Sequence, residues 1–156
     1  MNSPRLAVII VAWNVRDLLL DCLRSLFADL TRGSLRGEVW VVDNASADGT
    51  VEAVRAAFPA REYPSLRLLE PGENLGFAGG NNLALRAMGF PGGDDPPEWV
   101  LLLNPDTVIT PGALETLVEG AEAAGAGLAG ARLVYGDGSF QHSAFEFPGL
   151  AQLIID

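Results

Sequence analysis

Apolar and polar positions fall into two kinds of block along the chain. Short continuous apolar runs occupy Leu6 to Ala12 and Trp99 to Leu103, a further one follows Glu38 and reaches Val42, and Leu66 to Leu69, interrupted by Arg67, reads as a short strand. Runs of this length, apolar on both faces, suit parallel strands covered by helices on both sides, and Trp99 to Leu103 is expected to be a central one. Between the runs, apolar residues recur at i, i+3 and i+4. The first such set is Leu19, Cys22, Leu23, Leu26, Phe27 and Leu30, with Asp17, Asp21, Arg24 and Asp29 opposite. Later sets are Val51, Val54 and Phe58; Leu83, Ala84, Ala87 and Met88; and Leu114, Leu117, Val118 and Ala121, with Glu115, Glu119 and Glu122 outward. These are amphipathic helices. Strand and helix in alternation predict an α/β fold of three layers, α/β/α, around a mainly parallel central sheet.

Local signals set the boundaries. Asn14 is expected to cap the first helix, with Asp17 three residues on in the position of a capping-box acid, and Ser46 or Asp48 to cap the second. Thr31 to Gly37 and Phe90 to Pro97 read as surface loops, Pro59 and Pro64 bracket the exit of the second helix, and Glu70 to Glu73 is a turn. Thr110-Pro111 reads as an N-cap and first-turn proline. Ala126 to Val134 is expected to be a further strand, and Tyr135-Gly136-Asp137-Gly138 has hairpin chemistry that folds Leu133 to Phe140 back on itself. Phe147 to Asp156 ends without a helix stop. The expectation is one domain over residues 1–156, continuing into a longer protein.

Composition narrows the partners. Of 156 residues 49% are apolar, so the chain should be globular, and no run reaches the ~18 apolar residues of a membrane span. A cytoplasmic protein is the default expectation. The net charge is −10 and every basic residue is an arginine, which argues against nucleic acid as a partner. It leaves room for a phosphorylated small molecule, because a cation and backbone N–H groups can neutralise phosphate. Cys22 is the single cysteine, so an internal disulfide is excluded, and its place on an apolar helix face reads as burial.

Candidate chemistry collects where strands end. Trp99 to Leu103 runs into Asn104-Pro105-Asp106; Pro105 cannot donate to a ladder, so pairing should stop and Asp106 enter a crevice at the carboxyl end of the sheet. Asp106 either ligates a hard cation such as Mg²⁺, with phosphate and water completing the shell, or caps the turn before the next helix. On this stretch alone capping is ahead; the rest of the chain reverses that order. Polar elbows also follow at Trp13-Asn14 and Asp43-Asn44. Asn74-Leu75-Gly76-Phe77-Ala78-Gly79-Gly80-Asn81-Asn82 opens a helix; its glycines serve close ligand approach or tight helix packing. It lacks the dinucleotide spacing, and without a lysine it is not a phosphate loop. His142, the sole histidine, is a ligand contact, a metal ligand or a structural surface residue.

In their order and spacing these four elbows resemble the nucleotide-sugar-binding half of the family 2 glycosyltransferases, which have the GT-A fold. The resemblance rests on Val8 to Asn14, Val41 to Thr50, Asn74 to Asn82 and Leu103 to Asp106, and covers nearly the whole chain. It implies that Ala12, Trp13, Asn14 and Asp43 hold nucleobase and ribose, and that Asn74, Gly76, Phe77, Ala78 and Asn81 line the nucleotide pocket. Asp106 would be the metal-binding member of the family's D-x-D motif, holding Mg²⁺ or Mn²⁺ on the diphosphate. Asn104 replaces the first Asp, keeping an oxygen for ribose or a metal-bound water but losing a charge. The Asn-Pro-Asp form looks like the subgroup with bacterial rhamnosyltransferases, which use dTDP-rhamnose to build cell-wall and surface polysaccharides.

The implied activity is inverting, metal-dependent transfer from a dTDP- or UDP-sugar to a saccharide or lipid-linked acceptor, in the latter case at the inner face of the membrane. The family's general base comes from an acidic motif downstream of the D-x-D. Glu146 and Asp156 fit no such pattern, so it is expected beyond Asp156, leaving residues 1–156 able to bind nucleotide but poor at transfer. The apolar C-terminal stretch is open to packing on the sheet, contact with a further half, or a homodimer. Two other readings stand beside this one. A sugar nucleotidyltransferase would need a glycine-rich loop with Arg and Lys near its N-terminus, and Ile9 to Val15 has neither glycine nor lysine. A non-catalytic nucleotide-binding or assembly module would carry Asp43 and Asp106 as relics.

Overall fold

The computed structural model describes residues 4–93 and 95–142. They belong to two compact units, Met1–Thr116 and Leu117–Asp156. The first unit runs β1 (Leu6–Ala12), α1 (Arg16–Arg32), β2 (Gly37–Asp43), α2 (Thr50–Ala57), β3 (Leu66–Leu69), α3 (Gly76–Ala87) and β4 (Trp99–Leu103), followed by α4 (Ala113–Ala123), which crosses into the second. The strands form one sheet ordered β3-β2-β1-β4, with every pairing parallel.

The chain steps from β1 through β2 to β3 in one direction and then returns to the far side of β1 for β4. Right-handed crossovers therefore put α1 and α2 on one face and α3 on the other. Side-chain parity agrees. Ala7, Ile9, Trp40 and Val42 form a buried cluster with Ala84 of α3, against which Val11, Leu69, Leu83, Leu85, Met88 and Val100 pack. Val8, Ile10, Val39 and Val41 point the opposite way and are fully buried, as are Leu19, Cys22, Leu23 and Leu26 of α1. At the far end of that layer Phe27, Phe58 and Tyr63 close the core, with ring centroids 4.8–5.6 Å apart.

Several expectations need correction. Trp99 to Leu103 is not central: in the described sheet β4 is an edge strand, as β3 is at the other side, and Leu102 is half exposed, while β1 and β2 are the inner strands. Ala87 is exposed, because α3 meets the sheet through Leu83, Ala84, Leu85 and Met88. Asp29 is buried rather than solvated: its carboxylate accepts N–H bonds from Gly112 and from Leu114, the latter at 3.1 Å. It thus does at the start of α4 the capping assigned to Thr110, whose carbonyl accepts the Ala113 N–H instead.

Of Ala126 to Val134 only Leu133–Val134 is strand (β5). It pairs antiparallel with Phe140–Gln141 (β6), so the predicted hairpin stands, turning through Gly138 at φ 82°. In α4, Leu114, Val118 and Ala121 are buried as the periodicity requires, and Leu117 is half-buried. Phe147 to Asp156, with Glu146, lies outside the described residues.

Candidate functional site

Because all strands are parallel, their carboxyl ends open on one edge, and the order reverses between β1 and β4. That reversal is where an open α/β sheet leaves a crevice. Trp13-Asn14 follows β1, Asp43-Asn44 closes β2, and Asn104-Pro105-Asp106 follows β4.

The first two elbows are stitched together. The Asn44 N–H donates to the Ala12 carbonyl at 2.8 Å. The Asn14 N–H donates to Ser46 Oγ at 2.9 Å, and Asn14 Oδ1 accepts the Ala47 N–H at 2.8 Å. Asn14 therefore does not cap α1, whose N-cap residue, Val15, makes no side-chain cap bond. Asn14 sits at φ 54° and Ala45 at φ 60°, left-handed conformations that Asn tolerates and Ala does not favour. Asp17 forms no capping box; its carboxylate pairs with the Arg16 guanidinium at 2.9 Å, which holds it below the usual carboxylate range.

Capping falls to Asp48. Its Oδ2 accepts the N–H of Arg16, first residue of α1, at 3.0 Å, while Oδ1 accepts the N–H and hydroxyl of Thr50, first residue of α2, at 3.1 and 2.5 Å. One carboxylate serves two helix starts.

Asp43 is 4% exposed. Its Oδ2 accepts the Ser46 N–H at 3.0 Å, and Oδ1 is buried with no partner. An orphan acceptor of this kind is uncommon in a folded core and calls for a donor from outside the chain. Beside it, buried Asn44 docks the glycine-rich segment: Nδ2 donates to the Gly76 carbonyl at 3.2 Å and Oδ1 accepts the Leu75 N–H at 3.4 Å. Asn74 Oδ1 accepts the Gly76 N–H at 2.8 Å, so the N-terminus of α3 is held by two asparagines. Gly76 needs its φ of 69°. Gly80 serves packing, since a Cβ there would lie 2.9 Å from Val11 of β1. Asn81 is buried, giving its amide N–H to the Phe77 carbonyl and leaving Oδ1 without a partner.

Trp13 and Phe77 are each 56% exposed, large aromatics left open where a flat ring could stack. Ala12 is buried, Ala78 exposed. Asn104 and Asp106 are exposed on the β4 elbow, which α1 holds from behind: the Cys22 thiol donates to the Asn104 carbonyl at 3.7 Å, Ser25 Oγ accepts the Ile109 N–H at 2.9 Å, and Asp29 takes the N–H groups of Gly112 and Leu114. Cys22 is fully buried, and burial raises its thiol pKa to about 12, the environment of a structural cysteine. His142 is exposed in the second unit, edge-on to Phe140 at 5.1 Å.

Sequence reasoning offered Asp48 as a cap of α2, as it is, but missed its bond to the start of α1, and it missed Asn44 and Asp29 as organisers. Asp29 had a signal, because it lies three residues after Leu26 and seven after Cys22, on the buried stripe of α1.

A parallel sheet with this strand order, helices on both faces and polar elbows at one edge is a Rossmann-like α/β domain of the GT-A type. Residues 7–147 match the family described as glycosyl transferase family 2, and the chain belongs to that family. It is 35% identical over 117 residues to the N-acetylglucosaminyl-diphospho-decaprenol L-rhamnosyltransferase of Mycobacterium tuberculosis, a match covering 72% of this chain and 36% of that protein. It is 31% identical over 126 residues to the succinoglycan biosynthesis protein ExoO of Rhizobium meliloti, covering 81% of this chain and 32% of that one. The chain thus spans about a third of the length of these relatives. Among solved structures, the mannosyltransferase PcManGT from Pyrobaculum calidifontis, in complex with GDP-Man and Mn²⁺, matches with a TM-score of 0.63 at 28% identity, covering 78% of this chain and 33% of its own. S. aureus TarS in complex with UDP-GlcNAc shares the fold, with a TM-score of 0.60 at 24% identity over 76% of this chain and 31% of its own.

Proposed function

We propose that this chain is the donor-binding domain of an inverting, metal-assisted glycosyltransferase that moves a sugar, rhamnose by its relatives, from a dTDP- or UDP-sugar to a saccharide or lipid-linked acceptor. The observation that carries the reading is the unpartnered buried oxygen of Asp43 at the crevice between the strand ends. A nucleoside supplies what it lacks, an N–H or O–H donor. Trp13 offers an exposed ring to the base and Phe77 one to the rest of the nucleoside, while Asn14, Asn74, Gly76, Ala78 and Asn81 line the pocket. The N-terminus of α3 presents N–H groups toward the polar ligand.

The cation follows from the donor set. Asn104 and Asp106 offer hard oxygens, and among the described residues no group of three or more His, Cys, Asp or Glu gathers into a protein-only cage. That set fits Mg²⁺ or Mn²⁺ completed by diphosphate oxygens and water, with Asp106 as the protein ligand. When bound, such a cation offsets the charge on the departing diphosphate. The residues of this chain grip the nucleoside and leave the sugar at the mouth of the crevice, where an acceptor hydroxyl can reach it. No described carboxylate is assigned as the general base. A lipid-linked acceptor would bring the full-length protein to the inner face of the membrane, although no helix among the described residues is long and apolar enough to cross one.

Calorimetric titration with dTDP-rhamnose, UDP-glucose and GDP-mannose, in Mn²⁺ and then in excess chelator, tests the reading. We expect tight binding of one dTDP- or UDP-sugar, weakened by chelator, lost in Asp43→Ala, and metal-independent in Asp106→Ala. If both folded variants bind as the parent does, the chain is a non-catalytic module with a lapsed pocket; if no donor binds at all, either that reading holds or a further part of the protein completes the pocket, and a longer chain decides between them.

A further inference from the structure

We propose that Asp48 is a positioning residue for the donor site: by capping α1 and α2 with one carboxylate, it locks the loop after β1 to the loop after β2. This rests on the donor-site reading above. The loops after β1 and β2 carry Trp13 and Asn14 on one side and stand against Asp43 on the other, yet they are 30 residues apart in the chain. Short loops of this kind are ordinarily held by their own helices. Here, beside the local bonds of Ser46 to Asp43 and of Thr50 to Asp48, further ties run across. Asp48 Oδ2 takes the Arg16 N–H, the Arg16 guanidinium returns a bond to the Asp48 carbonyl at 3.2 Å, Ser46 takes the Asn14 N–H and Asn14 takes the Ala47 N–H.

The carboxylate is needed in both of its oxygens. Arg16 N and Thr50 N approach from different helices, one on Oδ2 and one on Oδ1, so an amide satisfies only one of them and faces the other donor with its own NH₂. The Thr50 hydroxyl, followed by the Arg16 and Thr50 N–H groups, holds the Asp48 carboxyl below its ordinary range, so it is charged at neutral pH and adds a negative charge to both helix N-termini. The lattice also explains two left-handed non-glycine residues. Asn14 at φ 54° and Ala45 at φ 60° persist because the cross-ties fix the backbone around them. Backbone pairing joins β1 to β2 only as far as Ala12 and Asn44, so it is these ties that carry the fixed spacing on through the loops bearing Trp13 and Ser46. Asp48 makes its contribution without touching the nucleotide.

The test compares Asp48→Ala, Asp48→Asn and Ser46→Ala with Phe58→Leu, which loosens the aromatic cluster at the opposite end of α2. Donor affinity by calorimetry and amide exchange at Arg16 and Thr50 are read where each variant is folded by circular dichroism. Asp48→Ala should bind donor about tenfold more weakly, and Ser46→Ala and Asp48→Asn about threefold. Amide exchange at both helix starts should accelerate in the Asp48 variants. Phe58→Leu should lose thermal stability while keeping the parent affinity and exchange. Parent-like donor affinity in folded Asp48→Ala and Ser46→Ala overturns the positioning role and leaves the donor site standing. A parent chain that binds no donor removes the donor site and the positioning role with it. Equal loss of affinity in Phe58→Leu reduces Asp48 to general stability and likewise overturns the proposal.

Discussion

Gly80→Ala measures how closely α3 lies on the sheet. A methyl group at Gly80 would sit 2.9 Å from both Cγ atoms of Val11, where ordinary contact begins near 3.4 Å. Val11 cannot easily yield: it is β-branched, with little χ1 freedom, and belongs to inner strand β1, in register with Val42 of β2. Replacing glycine by alanine inside a helix gains about 1 kcal/mol of intrinsic propensity. Overpacking a tight contact costs about 1–3 kcal/mol. The clash should win, for a net loss of about 1 kcal/mol, or a melting temperature about 2–4 °C lower for a chain of this size.

Gly120→Ala is the matched control. Gly120 also lies inside a helix, but a Cβ there meets nothing within 4 Å, so the same substitution should stabilise by about 0.5–1 kcal/mol. Thermal and urea unfolding followed by circular dichroism reads both, and Gly80→Ala with Val11→Ala should show a coupling of about 1 kcal/mol as the smaller side chain makes room. A Gly80→Ala protein as stable as the parent would mean that α3 can lift from β1 freely. Gly80 would then be read as a residue for ligand approach, not packing.

Two further outcomes test the site's frame. Cys22, with its thiol raised to about 12, should resist alkylation near pH 8 until the protein unfolds, so labelling should track global opening; rapid stoichiometric labelling of folded protein would show that the β4 elbow swings away from α1. Asp48 has its folded pKa below the ordinary 3.8, so its carboxylate stabilises fully above that value and loses the contribution as pH falls through the folded value. The melting-temperature gap between the parent and Asp48→Asn should hold from about pH 8 to 5 and shrink from about pH 4 to 2; a gap independent of pH would deny the charged cap.

Strand positions and helix faces were legible because they depend on local periodicity. Leu6 to Ala12 and Leu66 to Leu69 carry their own signal, as do the buried face of α1 and the β5-β6 turn. What failed depends on partners distant in sequence. An apolar run does not reveal whether it lies inside the sheet or at its edge, so Trp99 to Leu103 reads as central although β4 has β1 as its described neighbour. Asn14 and Asp48 have capping chemistry, but the N–H groups they serve come from a different loop or helix. Asp29 shows the same effect: its charge argues for solvent, while Gly112 and Leu114, more than 80 residues on, make burial favourable. The elbows themselves were legible from motif order. The unpartnered Asp43 oxygen was not, since only the folded arrangement of Ser46 decides which oxygen is served.

The row of Cys22, Ser25 and Asp29 along α1 works as a ruler for the segment behind Asp106. Seven residues of helix advance about 10.5 Å, and over that span the three side chains grip Asn104, Ile109 and Gly112 in sequence. A segment pinned at three marks cannot change length without slipping off at least one of them. Because the gripped atoms are the backbone carbonyl of Asn104 and the backbone N–H groups of Ile109 and Gly112, side chains between them can change without breaking these bonds. An insertion or deletion there needs a compensating shift in the helix, so the segment tolerates a change of chemistry better than a change of length.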